Sequence, residues 1–195
     1  AAHAAEPLVD VDWIKANAGK DGIAVIDARG KTAFLRGHIP GAVNTHYGKD
    51  RGRVKKGDVL AVVPEDTSKL AKVIGDLGID NDTHVVLVAP GNSSSDMGIA
   101  TRMYWTFKVL GHDEVSILDG GMEAYLADVD KKGNPTNPLE KGAGKAEAKT
   151  FAVDLRKDMI VSAADVEAAM EKVTLVDNRT HDQYLGVNKH GKAKS

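Results

Sequence analysis

The sequence contains no cysteine among its 195 residues, and this absence excludes several kinds of chemistry. Disulfides, thiolate metal sites and cysteine nucleophiles cannot form within such a chain. Aromatic residues make up only 5% of the sequence. Nowhere do apolar residues form the run of about 20 that a membrane-spanning helix needs. We therefore expect a chain without a membrane span and without thiol chemistry of its own.

The sequence also lacks a large excess of positive or of negative charge. Lysine and arginine total 26 against 28 aspartates and glutamates, which leaves a net charge of -2. This balance gives no electrostatic reason to expect nucleic acid or an anionic membrane as a partner. Hydrophobic residues account for 42%, enough for a substantial core. The composition is therefore typical of a globular protein, and any selectivity for anions must be local.

Short apolar runs alternate with helical patterns along most of the chain. The β-branched runs at 23–27, 83–89 and 114–118 predict buried strands. Helices are predicted at 12–18, 65–77, 98–110 and 122–127, with Pro64 at the start of one and Gly78 and Gly111 ending two. Alternation of this kind predicts an α/β fold with a parallel sheet.

The composition changes between residues 129 and 150, and the chain then repeats itself. This segment is rich in Lys, Gly, Pro and Asn without apolar periodicity, which predicts a linker between a module at 8–128 and a second at 151–195. At an offset of 150, Asp27-Ala28-Arg29 recurs as Asp177-Asn178-Arg179.

Two further correspondences support the repeat. Phe34-Leu35 recurs as Tyr184-Leu185, and Asp12, at the start of the first predicted helix, falls on Ser162, a good N-cap for a helix at 163–172. The second copy occupies only about 45 positions before Ser195, so we expect it to be incomplete.

The first five residues read A-A-H-A-A, which resembles the small-residue end of a processed secretory signal. An alanine-rich end without a targeting role is the alternative. We therefore expect a periplasmic or otherwise exported protein, with a cytoplasmic one as the alternative.

Several motifs together resemble the rhodanese family. Asp27-Ala28-Arg29 with the turn F-L-R-G-H-I-P-G-A-V-N at 34–44, and L-D-G-G-M-E-A-Y at 118–125, are similar to the signatures near the two ends of a rhodanese module. The segments 77–86 and 104–118 resemble the first half of tandem thiosulfate sulfurtransferases. The resemblance implies a three-layer fold with a central parallel sheet flanked by helices, followed by the start of a second module of the same type.

The resemblance also implies a reaction. A rhodanese carries a cysteine in the loop after a central strand, where backbone N–H groups and the helix dipole stabilise its thiolate. Sulfur passes from thiosulfate or 3-mercaptopyruvate to that thiolate as a persulfide, and then to cyanide or a thiol. Here the loop at 90–97 reads P-G-N-S-S-S-D-M, and a hydroxyl cannot form a persulfide. We therefore expect no catalytic residue in this chain, an inactive first module, and a nucleophile beyond Ser195.

Arg179 is the one residue to which the resemblance gives a functional role. In the tandem family the arginine of the second D-x-R motif lines the active pocket and helps to hold the anionic sulfur donor, a task suited to a guanidinium. The alternative is a structural ion pair between Asp177 and Arg179. For Asp27 and Arg29, beside a loop without cysteine, the structural interpretation is favoured.

Other sites are predicted to be structural. His38 in the G-H-I-P-G turn is expected to be a hydrogen-bonding group, and Gly120-Gly121 a tight strand-to-helix turn. A serine hydrolase is not favoured, because Gly91-Asn92-Ser93 does not continue as a nucleophile elbow and the histidines at 38, 46, 84, 112 and 181 show no pairing. Lys131-Lys132 is expected to be solvated.

No metal and no cofactor are expected, since neither H-E-x-x-H nor an EF-hand loop occurs. Trp105 and Phe107 are expected in the core or against a partner module, because the first module is predicted to pack on the second. A non-catalytic binding module is the rival function, and a phosphatase relative on the same fold would need the same missing cysteine.

Overall fold

The structure, a computed structural model, describes residues 5–45, 54–56 and 59–188. They divide into two compact units, the first ending at Arg156 and the second beginning at Lys157. The predicted export signal lies almost wholly outside the described residues, and so does His46. None of the helices in the described ranges is long and apolar enough to cross a membrane.

The first unit alternates strands and helices, as the sequence predicts. Its strands are β1 (Leu8–Val9), β2 (Ile23–Asp27), β3 (Val43–Asn44), β4 (Val54–Lys56), β5 (Val59–Val62), β6 (His84–Val88) and β7 (Val115–Leu118). Its helices are α1 (Val11–Asn17), α2 (Lys31–Arg36), α3 (Ser68–Asp76), α4 (Ser94–Val109) and α5 (Gly121–Leu126).

Five strands form one parallel sheet in the order β1-β7-β6-β2-β3, and β4 and β5 form a separate antiparallel pair. Each face of the sheet is covered, so alternate residues of the central strands enter different cores. Val85 and Leu87 of β6 pack in one cluster with residues of α3 and α4. Val86 and Val88 pack in the other with residues of α1, α2 and α5. The predicted three-layer α/β fold is therefore confirmed.

Several helices begin at other residues than predicted, because a polar N-cap side chain fixes where each helix starts. Helix α1 begins at Val11, after Asp10, whose carboxylate accepts the N–H of Trp13 at 2.7 Å. Asp10, not Asp12, is therefore the counterpart of Ser162. Helix α4 begins four residues before the predicted Gly98, because the Ser93 hydroxyl caps its first turn.

The segment 129–156, which we call the strap, differs most from the predicted linker. It returns over the first unit: Glu140 pairs with His38 through two backbone hydrogen bonds, the N–H of Lys149 binds the carbonyl of Gly75, and Phe151 is only 5% exposed. A Cβ at Gly75 would collide with the carbonyl of Lys149. Backbone pairing against glycines holds the strap in place, and such contacts leave no apolar periodicity in a sequence.

The second unit forms its local structure without a core. Helices α6 (Ala163–Ala169) and α7 (His181–Tyr184) each begin with a capping box, after Ser162 and Thr180, and a 3₁₀ turn covers Lys157–Met159. In its described part, 157–188, no residue is buried. Leu175 and Val176 are 51% and 74% exposed, whereas their counterparts Val25 and Ile26 are 2% and 1% exposed. The capped helices, which need only local hydrogen bonds, are therefore formed in the second unit. The segment that corresponds to β2 does not form a strand there.

Candidate functional site

The loop in which a rhodanese would carry its cysteine joins β6 to α4. Ala89 and Pro90 follow the strand, and their carbonyls accept the N–H groups of Met122 and Glu123 at 2.8 and 3.0 Å. These two donors belong to the first turn of α5, so the loop and the start of α5 are fixed to each other. These hydrogen bonds therefore fix the start of the loop at the carboxyl edge of the sheet.

Two glycines make this close approach possible. Gly91 has φ 95° and Gly121 has φ 61°, both in the left-handed region. A Cβ at Gly91 would collide with the carbonyl of Gly120, and one at Gly121 with the carbonyl of Ala89. The tight turn predicted at Gly120-Gly121 is present, and it presses against the loop.

A cavity of about 200 Å³ lies beside the loop. Its described lining includes the backbone of Gly91 and Gly120, the hydroxyl-bearing Ser93, the apolar Met97 and a single charged side chain, Asp119. A carboxylate at the rim repels anions such as thiosulfate. The cavity thus adjoins the loop to which the family resemblance assigns a nucleophile, and no cation occurs among its described lining residues.

The amino end of α4 already has a negative charge of its own. The Asp96 carboxylate accepts the N–H of Asn92 at 3.0 Å, and the N–H of Asp96 donates to the Ser93 hydroxyl at 3.3 Å. A helix start favours negative charge, and here an internal carboxylate supplies it. The N–H groups of Asn92 and Asp96 are therefore already hydrogen-bonded within the loop. An external anion would find fewer free donors here than at an uncapped helix start.

The pKa of a thiol placed in this loop should show the influence of the Asp96 charge. Because the chain has no cysteine, Ser94→Cys would introduce a single thiol, and we expect its pKa to stay near the ordinary value of about 8.5. Adding Asp96→Asn should lower that pKa by roughly half a unit or more, since the competing negative charge is gone. The rate of iodoacetamide alkylation against pH measures the pKa. Asp82→Asn, an equal charge change at the other end of β6, should leave it unchanged.

The first D-x-R motif forms a buried ion pair. Arg29 Nε lies 3.0 Å from both carboxylate oxygens of Asp27, and its Nη2 lies 2.6 Å from Asp27 Oδ2 and 2.6 Å from the carbonyl of Gly37. The Asp27 side chain is 2% exposed and that of Arg29 is 13% exposed. Arg29 thus joins the end of β2 to the G-H-I-P-G turn, which agrees with the structural interpretation.

The second D-x-R motif repeats this geometry in exposed surroundings. Arg179 Nε lies 3.0 and 2.9 Å from the two oxygens of Asp177, and the hydrogen bond from Arg179 lowers the pKa of that carboxyl. The Arg179 side chain remains 60% exposed. The ion pair that was the alternative to substrate binding is thus present in the second unit, while an anion-binding role for Arg179 stays a prediction.

His38 has the contacts of a structural residue. Its ring is 1% exposed, stacks on Phe34 at 3.8 Å between centroids, and places Nδ1 2.9 Å from the Phe34 carbonyl. A carbonyl only accepts, so Nδ1 carries the proton. Its Nε2 lies 3.8 Å from Glu140 Oε2, so one face of the ring and both nitrogens meet groups of the fold.

The structure also shows a histidine–serine pair that the sequence spacing did not reveal. His84 Nε2 lies 2.8 Å from Ser116 Oγ, across neighbouring strands. The Ser116 hydroxyl donates to the carbonyl of Glu6, so His84 donates to Ser116 and does not act on it as a base. Ser116 is fully buried, which leaves a structural tie and no nucleophile. No group of metal-binding side chains occurs among the described residues.

Comparisons with known proteins agree with the parallel α/β fold of the first unit. The sequence profile of the rhodanese-like domain matches residues 10–128. A thiosulfate sulfurtransferase of Bos taurus is 30% identical over 195 residues, covering 92% of this chain and 61% of its own length. A putative thiosulfate sulfurtransferase of Mycobacterium leprae is also 30% identical, covering 92% and 60%. The chain belongs to the rhodanese-like family.

A solved structure shows the same fold. The 3-mercaptopyruvate sulfotransferase SseA of Escherichia coli matches with a TM-score of 0.68 at 24% identity, over 86% of this chain and 64% of its own. The chain spans about three fifths of the length of the two curated relatives. The region that the rhodanese-like profile matches, 10–128, lies within the first unit.

Proposed function

We propose that this chain is the first module and the opening of the second in a sulfurtransferase that acts on thiosulfate or 3-mercaptopyruvate. The observation that carries the proposal is the similarity over 92% of the chain to thiosulfate sulfurtransferases. In this proposal a cysteine thiolate of the second module, beyond Ser195, attacks the outer sulfur of thiosulfate. Sulfite leaves, a persulfide remains, and cyanide or a thiol then removes the sulfur and restores the thiolate.

The first module has a supporting role in this proposal. Its loop lacks a thiol, its cavity has an acidic rim, and the start of α4 is neutralised by Asp96. In this proposal the first module packs on the second.

Sulfur transfer is tested by comparing this chain with the protein extended through the second module. With thiosulfate and cyanide, the extended protein should form thiocyanate, and mass spectrometry should find one added sulfur after thiosulfate alone. Arg179→Ala in the extended protein should lower kcat/KM about 10- to 100-fold, as loss of a charge-assisted contact does. Lys172→Ala, which removes an exposed cation from the same unit, is the control and should leave kcat/KM unchanged. The present chain should form no thiocyanate, and turnover by it would contradict the proposal.

A second candidate is a non-catalytic rhodanese-like binding module, which the cysteine-free loop favours. The same experiment separates the two. An extended protein that also lacks a loop cysteine and gains no sulfur from thiosulfate would establish the binding module instead.

A further inference from the structure

The carboxyl end of the strap packs on a buried histidine. Phe151 lies against His112 with 5.6 Å between ring centroids, and Phe107 of α4 lies 5.6 Å from the same histidine. The two phenyl rings meet at 6.3 Å, and His112 is only 2% exposed. The strap is therefore held at this point by an aromatic cluster with a titratable ring at its centre.

Burial decides the charge of His112 in this cluster. Its ring is 2% exposed, and its Nε2 lies 3.1 Å from the carbonyl of Glu114. Burial lowers the pKa of His112, and this effect outweighs the hydrogen bonds to the backbone of Thr83 and Glu114 and the charges of Glu114 and Asp113, which act in the opposite direction. Protonation therefore costs more while Phe151 covers the ring than after it has left.

The neighbouring charged groups do not cancel this effect. Asp113 is bound by Arg156, at 2.8 and 2.6 Å, and by Lys108 at 3.1 Å, which together hold the pKa of its carboxyl well below the ordinary range. His84 adds repulsion, because its charge would oppose that of His112. On the strap side, Lys149 lies 3.0 Å from Asp80, whose pKa is lowered to about 2. These ion pairs keep their charges through the range in which histidine titrates.

Beyond the pairing of Glu140 with His38, the carboxyl end of the strap thus has two attachments that respond differently to acid. Around Phe151, the N–H of Lys149 binds the carbonyl of Gly75 and the N–H of Ala152 binds the Asn81 side chain. Further along, the N–H groups of Asp154 and Arg156 bind the carbonyls of Leu110 and Val109, beside the Asp113–Arg156 ion pair. The first attachment packs on His112, whereas the second consists of backbone hydrogen bonds and an ion pair that keeps its charges at the pH at which histidine titrates.

We propose that the strap is a proton-sensitive latch, in which protonation of His112 releases Phe151 while Arg156 stays attached. The undocked strap leaves His112 with its ordinary pKa near 6.5, so docking is fully favoured above about pH 6.5. It weakens as the pH falls below that value toward the lower pKa of the docked state. This inference stands on the strap contacts alone and is independent of sulfur transfer.

Amide hydrogen exchange on the whole chain tests the latch. Between about pH 7.5 and about pH 5, protection factors of Lys149 and Ala152 should fall about 10-fold more than those of Asp154 and Arg156. His112→Gln should abolish the difference, whereas His84→Gln, which removes a neighbouring half-buried histidine, should preserve it. A uniform fall at all four amides, no fall at all, or an unchanged response in His112→Gln would overturn the proposal.

A second measurement covers the case in which His112→Gln does not fold. In the unaltered chain, the NMR signals of the Phe151 ring should move with the same midpoint as the His112 ring protons. Phe151 signals that stay constant through the titration of His112 would refute the latch.

Discussion

Arg29→Ala is expected to lower the free energy of unfolding of the first unit by about 3 kcal/mol or more, the usual cost of removing one partner of a buried ion pair. The carboxylate of Asp27 would remain buried with its charge uncompensated, and the carbonyl of Gly37 would lose its donor. Both tryptophans, Trp13 and Trp105, lie in the first unit. Urea denaturation followed by tryptophan fluorescence therefore measures this unit directly.

The second copy of the motif provides the control. Arg179→Ala removes the same side chain from the same local geometry, but at an exposed position outside the unit that contains the tryptophans. We expect no measurable change in the urea midpoint. Equal effects of the two substitutions on the urea midpoint would mean that burial does not increase the contribution of the Asp27–Arg29 ion pair to stability.

Phe151→Ala is expected to cost about 3 kcal/mol or more, as truncation of a core phenylalanine usually does. Phe151 belongs to the cluster that Ile74, Phe107 and Leu110 also form, although the sequence places it just after a predicted linker. The loss should appear as a lower urea midpoint with a similar slope.

Leu139→Ala is the matched comparison within the strap. Leu139 is 40% exposed, so its truncation should cost less than about 1 kcal/mol. If Phe151→Ala is as mild as Leu139→Ala, the strap is a solvated linker after all and the first unit ends well before Arg156.

The fold follows from the sequence to the extent that it depends on apolar pattern and family motifs. The strand 23–27 and the helix near 98–110 have clear periodicities, and the turns at 37–41 and 120–121 need glycine at particular positions. Helix starts follow less directly from the sequence because a single capping side chain fixes each of them. Asp10 and Ser93 bind N–H groups three residues ahead, and such a contact leaves a short signal that several nearby polar residues imitate.

The strap and the His84–Ser116 pair could not be predicted for a different reason. Both join residues that are far apart in sequence, such as Gly75 with Lys149 and His84 with Ser116, through backbone carbonyls or across strands. The absence of the loop cysteine was plain in the sequence, but the internal charge of Asp96 at the start of α4 depends on geometry. The anion-binding role of Arg179 stays a prediction.

The strap also has a consequence for the order in which the polypeptide is made. Phe151 and Arg156 complete the packing of the first unit, so the unit cannot finish folding until they have emerged from the ribosome. By then every residue of its sheet has emerged, whereas the repeat of the β2 segment at 173–177 is still inside the ribosome. Two modules with similar sequences therefore become available for pairing one after the other, which keeps the strands of the first from joining those of the second.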